Sequence, residues 1–356
     1  DAVRKLDAAG YRAVFGLEVE FQVFEVVDPA LSHAQATMPP APVQTRNLTQ
    51  GYQYLTETRY AEAEDLLDRL RRMAQGLGLH PRSMEIEMGP SQFEFTFEPS
   101  DPQTQADRYV LFRTMVREVC QRRGLVASFM AKPVLPNAAA NGWHIHQSLI
   151  DAATGRPLFR PDAPGALTPA ASGWIAGLLK HASACCLLTN PTVNSYKRFQ
   201  PFQLAPNSQQ WGVDNRGAML RALMSEGDAA SRIENRVADT SANPHFAFAA
   251  QILAGLDGIA RGDTAPPPRP AWRRAGPAGS SPRGSDPRPA QRAALARATA
   301  ACVGRRPDLG CRDRRVGRAR CARRAPASGG RAPRPVKTGQ MRTSGSRLIY
   351  WLHRLM

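Results

Sequence analysis

Residues 1–261 predict an α+β domain. Three observations carry that expectation: segments alternating apolar with charged residues, segments with apolar residues at helical spacing, and turn signals joining strands as hairpins. The first strand covers 13–25, where Ala-Val-Phe-Gly-Leu-Glu-Val-Glu-Phe-Gln-Val-Phe-Glu reads as half-buried sheet. Residues 60–77 carry a helical stripe of Ala61, Leu66, Leu67, Leu70 and Met73. Met84 to Phe97 reads as two strands reversed at Gly89-Pro90-Ser91, and helical spacing returns over 103–123. Residues 125–150 predict two strands around a loop from Pro136 to Gly142. An apolar helix over 170–188 follows, then a polar loop from Asn190 to Asn215, a strand at 231–237 and a helix at 244–260.

The chain of 356 residues is long enough for two average domains, and its net charge of +17 looks at first like a nucleic-acid signal. The charge is unevenly placed. Residues 261–356 hold 23 of the 47 Lys and Arg but only 4 of the 30 Asp and Glu, so the remainder is near neutral and the global charge says nothing about its partner. From Gly262 onward the chain is rich in Arg, Pro, Ala and Gly, has no glutamate and contains one lysine, Lys337. Such a segment buries too little apolar surface to offset its ordering entropy, and a disordered, solvated tail is expected over 262–356 rather than a nucleic-acid-binding arm. Arginine without lysine in this company is also what a GC-rich gene yields out of frame, and a frameshift near 262 is the expected origin. Cys120, Cys185 and Cys186 sit in apolar helical stretches, while Cys302, Cys311 and Cys321 lie in the tail. With no CxxC pair, free thiols and no zinc are expected. No signal-peptide pattern or membrane-spanning run occurs, so a soluble cytoplasmic protein is expected. Asp1 in place of an initiator methionine points to an incomplete or processed N-terminus.

Four strand-like segments place charges two residues apart: Glu18-Val19-Glu20, Glu85-Ile86-Glu87, His144-Ile145-His146 and Arg232-Ile233-Glu234-Asn235-Arg236. Residues i and i+2 of a strand share a face, so each segment presents its charges to one side and an aliphatic residue to the other. The turn at Gly89-Pro90-Ser91 is placed to return Glu94 beside Glu87. Carboxylates with one or two imidazoles suit divalent metals, and arginines beside them suit phosphate or carboxylate. The combination reads as a site that activates a substrate with ATP.

The order of these motifs resembles the catalytic domain of the glutamine synthetase family, the ATP-dependent ligases that join an amine to a γ-carboxyl. The resemblance is carried by Phe-Gly-Leu-Glu-Val-Glu-Phe at 15–21, Glu-Met-Gly-Pro-Ser-Gln-Phe-Glu-Phe at 87–95, Gly-Trp-His-Ile-His-Gln-Ser-Leu at 142–149, Asn-Ser-Tyr-Lys-Arg at 194–198, Asp-Asn-Arg-Gly-Ala at 214–218 and Arg-Ile-Glu-Asn-Arg at 232–236 with the Ser-Ala-Asn-Pro that follows. It covers about residues 13–261 and implies a curved antiparallel sheet flanked by helices. Two Mg²⁺ or Mn²⁺ ions are implied, one held by Glu20, Glu87 and Glu94, the other by Glu18, His144 and Glu234. His146 and Ser148 would lie on the nucleotide side, with Arg216, Arg221 and Arg232 on the ATP phosphates. Arg198 and Arg236 would face the carboxylates of a glutamate-like acid beside Asn141 and Gly142, and Arg216 and Arg236 would act in catalysis. The implied reaction transfers the γ-phosphate of ATP to the acid and then joins the acyl group to ammonia or an amine.

Departures from the family pattern bear on the substrate. Leu204 stands where the family carries a glutamate that holds and deprotonates ammonium, which points to an alkyl or aromatic amine in its place, or to a chain without turnover. Asn141-Gly142 runs directly into Trp143-His144, where the family has a longer glycine stretch. The family's N-terminal β-grasp domain is expected to be missing here. That domain completes a neighbour's site in ring-shaped homo-oligomers, so oligomerisation is expected of a chain that carries it.

Overall fold

The computed structural model describes residues 1–200 and 203–270. Its architecture starts from the alternation in β1 (Tyr11–Asp28). Ala13, Phe15, Leu17, Val19 and Phe21 are buried, while Gly16, Glu18 and Glu20 stand half-exposed on the opposite face. The strand is long enough to pair antiparallel with four others: β2 (Gln44–Asn47), β4 (Gln92–Phe97), β5 (Leu125–Ser128) and β6 (Trp143–Asp151). With β3 (Pro81–Ile86), β7 (Trp211–Val213), β8 (Leu220–Leu223) and β9 (Arg232–Asn235) the sheet runs β3-β4-β1-β6-β9-β8-β7. Among the described residues every strand pairing is antiparallel except β7 with β8, which is parallel, so the sheet is mixed rather than wholly antiparallel.

The apolar face is packed with aromatic rings. Phe21 stacks on Phe129 at 5.3 Å, Phe95 and Phe97 meet Phe112 at 5.2 and 4.9 Å, and Trp143 lies between Tyr109 and Phe248 at 4.5 and 5.3 Å. Phe112 and Tyr109 come from α3 (Pro102–Gln121) and Phe248 from α6 (Pro244–Ala260). Each such ring pair adds about 0.5–1.5 kcal/mol beyond its buried area. This core also fixes the register, because a one-residue slip of β1 would drive Glu18 and Glu20 into it.

The helices begin where the sequence provides caps. Asp101 accepts from Gln103 N and Thr104 N at 3.0 Å ahead of Pro102, and Asn243 accepts from His245 N at 3.1 Å ahead of Pro244. Residues 60–77 form α2 (Glu57–Gly76), which packs on β3 and α3. The single helix expected over 170–188 is two, α4 (Pro169–Lys180) and α5 (Ala182–Thr189). His181 between them has ψ near 0 and its Nε2 meets Asp257 Oδ2 at 2.8 Å on α6, so the break seats both helices against α6. The helix α1 (Ala2–Ala8) and the strands β2, β7 and β8 are too short for sequence periodicity to reveal. Cys120, Cys185 and Cys186 are buried free thiols.

Residues 262–270, assigned by composition to the tail, run along the sheet edge. Arg269 N donates to Trp211 O at 2.7 Å, Trp211 Nε1 to Pro266 O at 2.6 Å and Ala265 N to Ser172 Oγ at 2.9 Å. The expected disorder and frameshift over the rest of the tail, together with Cys302, Cys311 and Cys321, lie outside the described residues. Among the described residues no helix is long and apolar enough to cross a membrane.

Candidate active site

Antiparallel register gathers the charged residues on one face. Glu18 lies opposite His144, Glu20 opposite Glu94, Glu85 opposite Glu94, and His146 opposite Glu234, which in turn lies opposite Arg221. Glu87 sits one residue past β3, where its N–H donates to Gln92 O at 2.9 Å and closes the reversal into β4. Six strands thus build one charged face, and in β1, β4, β6 and β9 alternation puts Phe, Ile or Trp on the core side.

Glu20, Glu87 and Glu94 each offer a ligand atom within 4.8 Å of the others. Burial, and then the neighbouring Glu20, push the Glu87 carboxyl up to about 8; Glu94 is raised well above its ordinary range by burial and by Glu18, Glu20 and Glu87. Such mutual repulsion is what a divalent cation relieves, and an all-oxygen set suits Mg²⁺ or Mn²⁺. A second group forms around Glu18, whose Oε2 meets His144 Nδ1 and whose Oε1 meets His146 Nε2, both at 2.7 Å. Glu234 Oε1 lies 3.6 Å from His144 Nδ1. Burial opposes ionisation of Glu18, but the two imidazoles override it and hold its carboxyl far below the usual range. His144 thus lies beside both Glu18 and Glu234, but the groups whose ligand atoms lie within 4.8 Å of one another divide differently from the expected trio: Glu18 with His146 and Glu234, and Glu18 with Glu94 and His144. His146 Nδ1 accepts from Arg232 Nε at 3.0 Å, which leaves Nε2–H to face Glu18. The donor chemistry of both groups fits divalent ions.

The expected arginines are less alike. Glu234 is fully buried between Arg221, whose Nη1 lies 3.2 Å from Oε2, and Arg236, which bonds Oε1 and also donates to Arg216 O. Burial raises the Glu234 carboxyl, but His144, Arg236 and His146 bring it below its ordinary value. Arg221 also pairs with Asp214, at 2.5 Å. Arg216 is exposed on the turn between β7 and β8. Arg198 is buried, with Nη1 donating to Val237 O and Ala238 O at 2.8 and 2.9 Å. A Cβ at Gly142 would come within 3.0 Å of Arg198 Nη2 and 3.2 Å of Glu20 Oε1, so only glycine leaves that corner open. Asn141 spends its side chain inside the protein, donating to Met130 O and accepting from Gln92 Nε2. Ser148 is half-buried on β6, two residues beyond His146. Leu204 is 74% exposed with a left-handed φ of 56°.

Two residues of the site escape sequence reasoning. Tyr54 lies on a loop whose backbone pairs beside β3 through Tyr52 N to Met88 O and Leu55 N to Ile86 O. Burial, then Glu87 and Glu85, raise its phenol. No periodicity marks a loop residue. Gln92 is the other, and its position two residues before Glu94 is a signal that extending the strand alternation would have caught.

Residues 1–271 match the family model described as glutamine synthetase, catalytic domain. The chain is 39% identical over 262 residues to a gamma-glutamylanilide synthase from Acinetobacter sp., covering 72% of this chain and 52% of that protein. It is 31% identical over 259 residues to a glutamate–isopropylamine ligase from Pseudomonas sp. (72% and 54% covered) and 41% identical over 198 residues to the glutamine synthetase of Pyrococcus abyssi (56% and 44% covered). The chain therefore spans about half the length of the curated relatives it matches. Its structure aligns with GmaS in complex with ADP at a TM-score of 0.63 and 28% identity, over 75% of this chain and 59% of that one. A match that begins at the first residue and runs past the strap on the sheet edge places this chain in the glutamine synthetase family.

Proposed function

We propose that this chain is the catalytic part of an ATP-dependent γ-glutamyl ligase whose amine is larger or less basic than ammonium. The observation that carries the ligase reading is the single face on which Glu18, Glu20, Glu87, Glu94, His144 and Glu234 converge beside Arg221 and Arg232. Glu20, Glu87 and Glu94 would hold one divalent ion, and Glu18, His144 and Glu234 the other. Such ions supply charge neutralisation between two anions, the triphosphate and the substrate carboxylate. Arg216, Arg221 and Arg232 would orient the phosphates, assisted by His146 and Ser148. Arg198 and Arg236, beside Asn141 and Gly142, would orient the acid.

The γ-carboxylate oxygen then bonds the terminal phosphorus as the bond to ADP breaks. The amine nitrogen next bonds the acyl carbon, inorganic phosphate leaves, and the nitrogen loses a proton. Leu204 offers neither charge for a cation nor a base for its proton. A weakly basic aromatic amine, uncharged near neutrality, needs neither, and the name of one relative points to such an amine while that of another points to an alkyl amine larger than ammonia. Buried thiols suit a cytoplasmic setting, and homo-oligomerisation through parts of the family fold beyond this chain is part of the same reading. The test is phosphate release with ATP, Mn²⁺ and L-glutamate across ammonium, isopropylamine and aniline. An organic amine should exceed ammonium by about tenfold or more in kcat/KM. A preference for ammonium would overturn the amine assignment, and Leu204→Glu should shift the balance toward ammonium.

A further inference from the structure

Gln92 opens β4 on the same face as Glu94 and is 2% exposed. Its Oε1 accepts from Gly89 N at 2.8 Å, which closes the turn between Glu87 and Glu94. Its Nε2 has two hydrogens and three acceptors: Ala140 O at 2.8 Å, Asn141 Oδ1 at 2.9 Å and Glu20 Oε2 at 3.2 Å. Glu20 Oε2 also accepts from Gly142 N at 2.7 Å, and Glu20 N donates to Gly142 O at 3.1 Å. The same buried amide thus touches a carboxylate of the first ion group and the loop that leads into β6. Three acceptors for two donors make a competition, and the orientation of Glu20 decides it. A Glu20 carboxylate turned toward a cation leaves both donors to Ala140 and Asn141 and holds the loop. A Glu20 carboxylate turned toward Gln92 instead competes for one of those donors, the contact seen here at 3.2 Å.

We infer that Gln92 is a positioning residue that couples divalent-cation binding at Glu20 to the order of the Asn141–Gly142 loop, and so to binding of the amino acid substrate there. The substrate half of this inference rests on the ligase reading above; the coupling of cation to loop does not. Two variants of the full chain separate the contacts. Gln92→Glu keeps an acceptor for Gly89 but sets an oxygen against three acceptors, and Gln92→Met removes both functions at similar size.

The experiment measures Mn²⁺ binding by electron paramagnetic resonance with and without L-glutamate, and hydrogen exchange of residues 139–142 with and without Mn²⁺. In the wild type, Mn²⁺ slows exchange in this loop and L-glutamate tightens Mn²⁺ binding by about fivefold or more. In both variants the loop stops responding, the coupling falls below about twofold, and Mn²⁺ affinity without glutamate stays within about threefold. The KM for L-glutamate rises about tenfold or more while the KM for ATP and kcat change less than about threefold. A wild-type loop indifferent to Mn²⁺, or a Gln92→Glu chain that responds like the wild type, overturns the inference. A loop that responds to Mn²⁺ in a chain that binds no glutamate supports the coupling and overturns the ligase reading instead. Should Gln92→Met fail to fold, as judged by its melting curve, wild-type exchange and Gln92→Glu decide the question.

Discussion

Glu87 holds its proton far above the range of an ordinary carboxyl, because burial and then Glu20 raise it from 4.5 to about 8. Between those values the folded chain binds protons that the unfolded chain has lost. In the absence of a divalent ion, stability therefore falls as pH rises through that window. A cation bound by Glu20, Glu87 and Glu94 has to displace those protons, so its affinity should rise with pH over the same range. Calorimetric titration with Mn²⁺ at pH 7 in two buffers of different ionisation enthalpy should report about one proton or more released per ion at this group. Equal heats in the two buffers would contradict the assignment. Glu18 and Glu234 have the opposite sign: their carboxyls lie below the ordinary value, and the stability they contribute is present above it and lost as pH falls through their folded values. Glu234 is also a structural charge, buried between Arg221 and Arg236. Glu234→Ala leaves two guanidinium groups without it and should cost about 3–5 kcal/mol in denaturant unfolding, in addition to weakening cation binding. A loss below about 1 kcal/mol would mean that water or Asp214 compensates them.

At the scale of elements, the site depends on helices that never touch it. The helices α4 and α6 cross so closely that a Cβ at Gly177 would overlap Ala254 O, one at Gly258 would overlap Gly173 O, and one at Gly255 would overlap the Trp174 ring. Trp174 Nε1 donates to Gln147 Oε1 at 3.0 Å, and Gln251 Oε1 accepts from Gln147 and Asn235, so this crossing holds the core faces of β6 and β9. Those are the strands that carry His144, His146 and Glu234 on their other face. Gly258→Ala should therefore cost about 3 kcal/mol or more, the upper range of overpacking, and loosen the second ion group with it. Gly76→Ala is the control, since a Cβ there meets nothing within 4 Å near the end of α2 and should be neutral or stabilising by about 0.5–1 kcal/mol. Equal effects of the two substitutions would refute the close-crossing argument.

At the scale of the molecule, the strap of residues 262–270 closes the sheet on the β7 side. Its four prolines, Pro266, Pro267, Pro268 and Pro270, have no N–H to offer a further strand, and they blunt the edge. Asn215 Nδ2 donates to Pro270 O at 3.1 Å, so the strap also braces the turn that carries Arg216. A chain ending at Gly262 leaves Trp211 Nε1 and Asn215 without these partners, at about 1 kcal/mol for each hydrogen bond lost. It should melt roughly 5 °C or more below a chain ending at Pro270. Equal melting temperatures would show that the strap is passive.

Much of this protein was legible in its sequence because alternation is a local property. Glu18 and Glu20 share a face whatever β1 pairs with, and the apolar Leu17, Val19 and Phe21 that alternate with them make the opposite face the core side. The hairpin at Gly89-Pro90-Ser91 was legible for the same reason, since a short turn places Glu94 near Glu87 without help from the rest of the chain. The tertiary structure decided which faces meet. Pairing β1 with β6 across a gap of more than a hundred residues set Glu18 between two imidazoles, pairing β6 with β9 across some eighty brought Glu234 opposite His146, and pairing β8 with β9 set Arg221 against Glu234. No periodicity encodes those distances, because they are fixed by how aromatic rings from α3 and α6 pack beneath the sheet. The same holds for Gln92, visible as one polar residue on a strand, whose contacts to Glu20 and Asn141 exist only once β1, β4 and the loop before β6 have closed on one another.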